Sequence, residues 1–211
     1  MAPATASRVA MPRLAELIVD RDRYHSLVHE RAVERGEKYK EMSMSAQGVA
    51  FILEMLKKRK AHAVLDFGTG FSTATIGRWL ASRRAAYLGV EHDAEWLSWV
   101  NDVVVPAFMR PSPSHLQLQT RDGFIEEFKG SKWDAIIVDH GPTLDARAAD
   151  IPWLTTFLKP DGIMLFDDWR PKHEGRCRRA LAKTKGKWNI DAAEHTRRFA
   201  KDKAIGWATR S

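Results

Sequence analysis

The sequence predicts an α/β fold in which helices sandwich a seven-stranded sheet that ends in an antiparallel hairpin. An apolar, strand-like run at 63–67 leads into a glycine turn and then into a helical pattern. Four more strand-like runs alternate with helical patterns, which is typical of parallel strands joined by crossover helices. These four runs are 85–90, 116–120, 133–139 and 162–166. Two last runs, 188–191 and 204–209, lie around a polar, basic connection and are expected to pair as a hairpin.

The turn after the first strand is the segment on which any function is expected to depend. Gly68 and Gly70 permit a tight backbone that a ligand can approach closely. Ser72 or Thr73 can cap the helix that continues to Leu80, and the first turn of that helix offers N–H groups to a polar or anionic group. The turn therefore either holds a ligand or is a plain connection between a strand and a helix.

Most of the chain before the first strand is predicted to be helical. Residues 1–12 are rich in Ala, Pro and Ser and are expected to be a loose tail, whereas 13–40 carry the pattern of one or two amphipathic helices that pack on the core. Ser45 is expected to cap a helix over 49–56. The segment from Ser43 to Ser45 either covers a ligand as a lid or serves only as this cap.

Two carboxylates follow the second and third strands. Glu91 stands 21 residues after Gly70, at the strand end where an acidic residue can accept both hydroxyls of a ribose. The neighbouring His92 is either a surface residue or an edge for a purine. Asp122 either hydrogen-bonds the exocyclic amine of that purine, with Phe124 packed nearby, or caps the next helix.

Three more carboxylates follow the fourth and fifth strands. Asp139 leaves a buried Ile-Ile-Val strand, and Asp167 and Asp168 follow the next strand. Because adjacent parallel strands end at the same edge, these groups are expected to repel each other unless a proton or a hard divalent cation compensates them. The sequence therefore predicts either a metal site or a ligand contact by Asp139 alone, with Asp168 as a cap.

Composition indicates the cellular compartment and the kind of partner that are expected for this protein. The formal net charge is +7, which indicates either a solvated basic surface or an acidic partner. The single cysteine, Cys177, excludes an internal disulfide and favours a reducing compartment. No apolar run approaches the roughly 18 to 20 residues of a membrane span. A soluble, cytoplasmic protein is expected.

Together these residues resemble the class I S-adenosylmethionine-dependent methyltransferases, which have a Rossmann-like fold. The run from Asp66 to Ser72 is similar to their first motif, with Ser72 where a third glycine is common. The resemblance covers 42–211 as the methyltransferase domain and leaves 1–41 as the tail and the N-terminal helical extension. It implies the following cofactor-binding residues: Ser43, Ser45, Asp66, Gly68, Thr69, Gly70, Ser72, Thr73, Glu91, His92, Asp122, Gly123, Phe124 and Asp139.

Within that class the chain looks most like the catechol-type O-methyltransferases, which act on small-molecule hydroxyls. This resemblance implies a magnesium site at the ligands Asp139, Asp167 and Asp168. Those enzymes place a lysine base where this chain has Pro142. Either His140 beside the catalytic Asp139 takes the proton, or another group such as Lys172 does, or the metal chemistry is absent.

Other function classes share some of these features. An NAD-dependent oxidoreductase also has a glycine turn with a carboxylate about 20 residues on. That function does not explain why Asp66 lies inside the strand or why the sheet ends in an antiparallel hairpin. The charge of +7 suggests an RNA-modifying protein, yet no Asn-Pro-Pro-Tyr-type motif follows strand four, so nucleic acid is not the expected partner. Cations at Arg147, Arg170 and Lys172 serve either an anionic acceptor or solubility. The oligomeric state is left open.

Overall fold

The computed structural model describes residues 14–38, 43–109, 116–141, 143–193 and 204–211, with side chains from residue 20 onward. The predicted tail at 1–12 and the position of Pro142 lie outside these residues.

The described residues form eight α-helices, two π-helical turns and seven strands. The helices are α1 (Leu14–Glu34), α2 (Ala46–Lys58), α3 (Arg78–Ala81), α4 (Ala94–Trp99), α5 (Val105–Phe108), α6 (Arg121–Glu127), α7 (Leu144–Leu154) and α8 (Pro171–Leu181). The π-helical turns are Thr73–Gly77 and Val100–Val104. The strands are β1 (Ala63–Phe67), β2 (Ala86–Glu91), β3 (Leu116–Thr120), β4 (Trp133–Val138), β5 (Leu158–Trp169), β6 (Trp188–Ala193) and β7 (Ala204–Arg210).

The seven strands form one sheet in the order β3-β2-β1-β4-β5-β7-β6. The five strands β3, β2, β1, β4 and β5 pair in parallel, whereas β7 pairs antiparallel with both β5 and β6. The predicted α/β fold with a terminal antiparallel hairpin is confirmed.

The register of the parallel strands decides where the functional side chains lie. Four apolar residues are aligned across β2, β1, β4 and β5: Val90, Phe67, Val138 and Phe166. The residue after each of them therefore lies at the same carboxyl-terminal rim of the sheet: Glu91, Gly68, Asp139 and Asp167. In open α/β sheets this rim is where ligands bind.

Apolar residues cover both faces of the sheet. Along β4, Ala135 and Ile137 belong to the core beneath α1 and α2, whereas Ile136 and Val138 belong to the core beneath α7 and α8. All four side chains are fully buried. The near-continuous apolar sequence of this strand follows from its burial on both sides.

The N-terminal extension contains a single helix in its described part. The structure places one continuous helix, α1, within the predicted 13–40 segment, and Gly36 with φ +64° follows it in a left-handed conformation. Tyr24 is buried in the core, with Leu27 and Val28 partly buried beside it. The extension thus packs on the sheet core as expected, while the domain boundary at 41 remains a prediction.

The structure contradicts two predictions of helix caps. Thr120, and not Asp122, caps α6, because the Thr120 hydroxyl accepts the Gly123 N–H at 3.2 Å. Asp168 caps no helix, since it lies within β5 and Arg170 is the residue before α8.

No helix among the described residues combines the length and the apolar character that crossing a membrane requires.

The close approach of β7 to Trp169 gives a test of the fold. A Cβ at Gly206 would overlap the fully buried indole of Trp169. We expect Gly206→Ala to lower the free energy of unfolding by about 1 to 3 kcal/mol through overpacking, as measured by urea denaturation. Gly175→Ala is the control, because its Cβ meets only Arg179 Nη1 at 3.5 Å and alanine favours a helix. Equal stability of the two variants would contradict this packing.

Candidate active site

A cavity of about 1030 Å³ lies at the carboxyl-terminal rim of the sheet. It is bounded by the glycine turn after β1, the ends of β2, β4 and β5, and one face of α1. This volume is at the upper end of the range for small-molecule and cofactor sites. The cavity is therefore large enough for a nucleoside cofactor together with a small acceptor.

The glycine turn requires its glycines for backbone geometry and for space. Gly68 and Gly70 have φ of +116° and +145°, which side chains with a Cβ rarely adopt. A Cβ at Gly68 would overlap the carbonyl of Asp139, and one at Gly70 would lie 2.6 Å from the Tyr24 hydroxyl. The first glycine thus lets the turn pack against the end of β4, and the second lets it pack against α1.

Asp66 lies beneath this turn and does not line the cavity. Its side chain is fully buried, and Oδ2 accepts a hydrogen bond of 2.7 Å from the Tyr87 hydroxyl. That hydroxyl is also 3.1 Å from Thr73 Oγ1, which accepts the Gly70 N–H at 3.1 Å. Burial raises the pKa of Asp66 to about 7. Asp66 therefore supports the turn from below through a chain of hydrogen bonds.

Glu91 joins the end of β2 to the glycine turn. Its Oε2 accepts from the Thr69 backbone N–H at 3.1 Å and lies 3.2 Å from the Thr69 hydroxyl. Its Oε1 accepts from the His92 N–H at 2.8 Å and lies 2.7 Å from His92 Nδ1. The side chain is 7% exposed and lines the cavity. Glu91 is thus a buried carboxylate that contacts from Thr69 and His92 hold in place.

The structure brings half of the predicted cofactor-binding residues to the cavity. Those that line it are Ser43, Gly68, Thr69, Ser72, Glu91, His92 and Asp139. Those that are not among its lining residues are Ser45, Asp66, Gly70, Thr73, Asp122, Gly123 and Phe124. Ser45 instead caps α2, where its hydroxyl accepts the Gly48 N–H at 3.0 Å.

Two of the predicted purine contacts, Asp122 and Phe124, are not among the residues that line this cavity, whereas His92 is. Asp122 is exposed in the first turn of α6. Phe124 is fully buried and packs edge to face against Phe67 at 5.4 Å, so it belongs to the core. Trp96 lines the cavity instead, and its Nε1 donates to the Thr69 carbonyl at 2.9 Å.

An arginine lies among the carboxylates at the ends of β4 and β5. Arg147 Nη1 is 3.1 Å from Asp139 Oδ1 and 3.4 Å from Asp168 Oδ2. Its Nε donates to the His140 carbonyl at 2.7 Å. Burial and the neighbouring Asp167 carboxylate raise the pKa of Asp139 well above its ordinary value, and Arg147 acts in the opposite direction. The guanidinium is therefore the countercharge of this cluster.

These residues do not fit the predicted magnesium site. Among the described residues, no group of three His, Cys, Asp or Glu side chains is arranged to hold a metal ion. Asp139 and Asp168 line the cavity, whereas Asp167 is not among its lining residues. The reason lies in the pairing with Arg147, since a guanidinium bound to both carboxylates puts a positive charge where the cation would lie.

His140 is held by a carboxylate that the sequence did not point to. Its Nε2 lies 2.8 Å from Asp150 Oδ2, and its Nδ1 is buried without a hydrogen-bond partner among the described residues. Although burial opposes it, the hydrogen bond to His140 lowers the pKa of Asp150, and Arg121 adds to this effect. Lys172, the other candidate base, is exposed on α8 and is not a lining residue. His140 lines the cavity, whereas Lys172 does not.

One wall of the cavity comes from the N-terminal helix, which the sequence assigned only to packing. Residues of α1 that line it are Tyr24, His25, Val28, Arg31 and Ala32. The His25 Nε2 lies 3.1 Å from Ser43 Oγ, and Arg31 stacks over the Trp96 ring at 5.0 Å. These residues are spaced about four and seven positions apart, which places them on one helix face. This spacing is the sequence signal from which the wall could have been predicted.

A family model for a methyltransferase domain matches residues 65–169. The chain carries a methyltransferase domain. The predicted class, the S-adenosylmethionine-dependent methyltransferases, is confirmed, and nothing in the comparisons supports an oxidoreductase.

Solved methyltransferases share the fold of this domain over most of their length. An O-methyltransferase from Bacillus cereus, solved in complex with SAH, is 16% identical; the match covers 97% of this chain and 94% of that one with a TM-score of 0.62. The O-methyltransferase TomG from Streptomyces achromogenes, solved in complex with SAM, is 14% identical, with 89% of each chain covered and a TM-score of 0.59. A search of curated proteins gives no sequence match.

The buried Asp66 gives this methyltransferase domain a specific dependence of stability on pH. Because its pKa rises from 3.8 to about 7 on folding, its contribution is complete below pH 3.8 and is lost as the pH rises towards 7. Between pH 5 and pH 8 we expect the wild-type protein to lose about 2 to 3 kcal/mol more unfolding free energy than Asp66→Asn does. Urea denaturation at both pH values measures this difference.

The exposed Asp122 provides the matched control for this measurement. We expect Asp122→Asn to lose as much stability between the two pH values as the wild-type protein. The same loss in Asp66→Asn would show that another group is responsible.

Proposed function

We propose that this protein transfers the methyl group of S-adenosylmethionine to the oxygen of a small-molecule hydroxyl. The observation that carries the proposal is the cavity of about 1030 Å³, which the glycine turn, Glu91 and Asp139 line together. The bound cofactor supplies an electrophilic methyl group, so the chain itself has to align the acceptor and receive its proton.

Glu91 is the proposed partner of the ribose. An ionised carboxylate offers about four lone-pair sites. The backbone N–H groups of Thr69, His92 and Asp93 donate to this carboxylate, and the Thr69 hydroxyl and the His92 ring also lie within hydrogen-bond distance of it. Because these two side chains can rotate away, the two ribose hydroxyls can take their places without disturbing the glycine turn.

The segment before α2 is the proposed contact for the methionine part of the cofactor. Ser43 lines the cavity, and its hydroxyl lies 3.1 Å from His25 Nε2. A hydroxyl and an imidazole together provide hydrogen-bond donors for a carboxylate. Trp96 and His92 line the same cavity and offer ring surfaces to the purine.

Asp139 is the proposed acceptor of the proton from the hydroxyl. Asp139 and His140 both line the cavity, but the His140 ring bonds Asp150 through Nε2, and its Nδ1 is buried without a hydrogen-bond partner among the described residues. His140 is a positioning residue in this proposal, because its carbonyl fixes Arg147 beside Asp139. In the transfer, the acceptor oxygen gives its proton to Asp139 and bonds the methyl carbon, and the bond from sulfur to that carbon breaks.

Calorimetry with S-adenosylhomocysteine tests the cofactor site. We expect the wild-type protein to bind this ligand more tightly than NAD⁺, and Glu91→Gln to weaken binding by about tenfold or more, which corresponds to ~1.4 kcal/mol. The reason is the loss of charge-assisted hydrogen bonds to the ribose.

Asp122→Asn is the matched control, since Asp122 is exposed and is not among the residues that line the cavity. We expect its affinity for S-adenosylhomocysteine to stay within about twofold of the wild-type value. Tighter binding of NAD⁺, or no binding of S-adenosylhomocysteine at all, would refute the proposed function.

A further inference from the structure

The position of Arg147 is determined by three oxygen atoms from two strand ends. The α7 helix, which starts next to the Thr143 cap, carries the side chain to the rim of the sheet. There Nε donates to the His140 carbonyl, and Nη1 lies 3.1 Å and 3.4 Å from Asp139 and Asp168. The Arg147 side chain is only 12% exposed. A planar guanidinium with several anchors has little freedom to leave this place.

The backbone at Asp168 is also unusual. Asp168 has φ +56°, a left-handed conformation that is uncommon for a residue with a side chain. The pairing of β5 with β7 shifts register between Phe166 and Trp169, so the irregularity falls at this aspartate. Such local backbone strain concentrates at functional sites. The Asp168 carboxylate lies between Arg147 and Arg170, whose Nη2 is 3.8 Å from Oδ1.

The charges of Asp139, Asp168 and Arg147 decide which cation can bind at this rim. Two neighbouring carboxylates repel each other unless a positive charge compensates them. Arg147 provides such a charge permanently, because a guanidinium does not lose its proton in proteins. Divalent cations such as Mg²⁺ need several close oxygen ligands, and here the ion would meet this fixed positive charge at short range.

We propose that Arg147 replaces a divalent cation at this rim, so that the carboxylates of Asp139 and Asp168 are compensated and positioned without a metal ion. This inference rests on the proposed function, because it concerns the acceptor end of the same cavity. It makes Arg147 a positioning residue: the guanidinium holds Asp139 where the acceptor hydroxyl is expected. The site then takes its acceptor beside an organic cation, and cofactor binding is independent of Mg²⁺.

Binding of Mn²⁺, followed by its electron paramagnetic resonance signal, tests this exclusion directly. We expect the full-length wild-type protein to leave the signal of free Mn²⁺ unchanged. Arg147→Gln removes the charge but keeps a polar side chain, so the carboxylates of Asp139 and Asp168 should take up Mn²⁺ once the Arg147 guanidinium is gone. Arg147→Lys keeps the charge and should exclude Mn²⁺ as the wild-type protein does. A purely structural role of Arg147 would not separate these two variants.

Two results would overturn the inference. One is uptake of Mn²⁺ by the wild-type protein that Asp139→Asn abolishes. The other is exclusion of Mn²⁺ by a folded Arg147→Gln variant, because the guanidinium would then not be what keeps the ion out. Circular dichroism establishes whether each variant is folded.

A second measurement needs only the wild-type protein. We expect its affinity for S-adenosylhomocysteine to agree within about twofold in EDTA and in excess MgCl₂. An affinity that rises with MgCl₂ by about tenfold or more would overturn the inference even if the Arg147 variants do not fold. Absence of S-adenosylhomocysteine binding would count against the proposed function alone, since the Mn²⁺ experiment needs no cofactor.

Discussion

The parallel register of four strands is the constraint on which the rest of this structure depends. Phe67, Val90, Val138 and Phe166 are aligned across the sheet. Since a one-residue shift in a strand reverses which face each side chain points to, burial on both faces fixes this alignment strongly. The residues that follow are therefore brought to one rim, and residues far apart in sequence meet around one cavity.

That rim collects acidic groups, and the protein compensates each of them differently. Asp66 is fully buried beneath the glycine turn, where burial raises its pKa. Glu91 is surrounded by backbone and side-chain donors from the turn and from its own loop. Asp139 and Asp168 share the Arg147 guanidinium. These carboxylates thus have three different environments, which agrees with the proposed roles of Glu91 as a sugar contact and of Asp139 as a proton acceptor.

The N-terminal helix completes the cavity that the sheet begins. Tyr24 packs over Gly70, and His25 reaches the Ser43 hydroxyl, so α1 contacts both the glycine turn and the segment before α2. Arg31 stacks on Trp96, which in turn bonds the Thr69 carbonyl. A helix that packs on the core on one side thereby supplies a wall of the cavity, and the domain uses this extension in its candidate site.

The sequence by itself determined the fold, and it predicted seven of the residues that line the cavity. Alternation of apolar strands with helical patterns predicted the sheet, because burial on both faces demands such runs. Gly68 could be predicted because the backbone of the turn requires a glycine there. Glu91 could be predicted from its spacing after the turn, and both residues line the cavity. These are constraints that act along the chain, within one turn or one strand-helix unit.

Only the tertiary structure decided which charges meet. Asp139, Asp167 and Asp168 were predicted either to form a metal site or to leave Asp139 alone as a ligand contact, and the pairing of Asp139 with Arg147 on α7 at 3.1 Å was not predicted. Asp150 was not recognised as the partner of His140, nor Tyr24 as the residue above Gly70. These contacts depend on how helices pack against the rim, and no local pattern encodes them, since side-chain pairs between separate elements are set by three-dimensional packing.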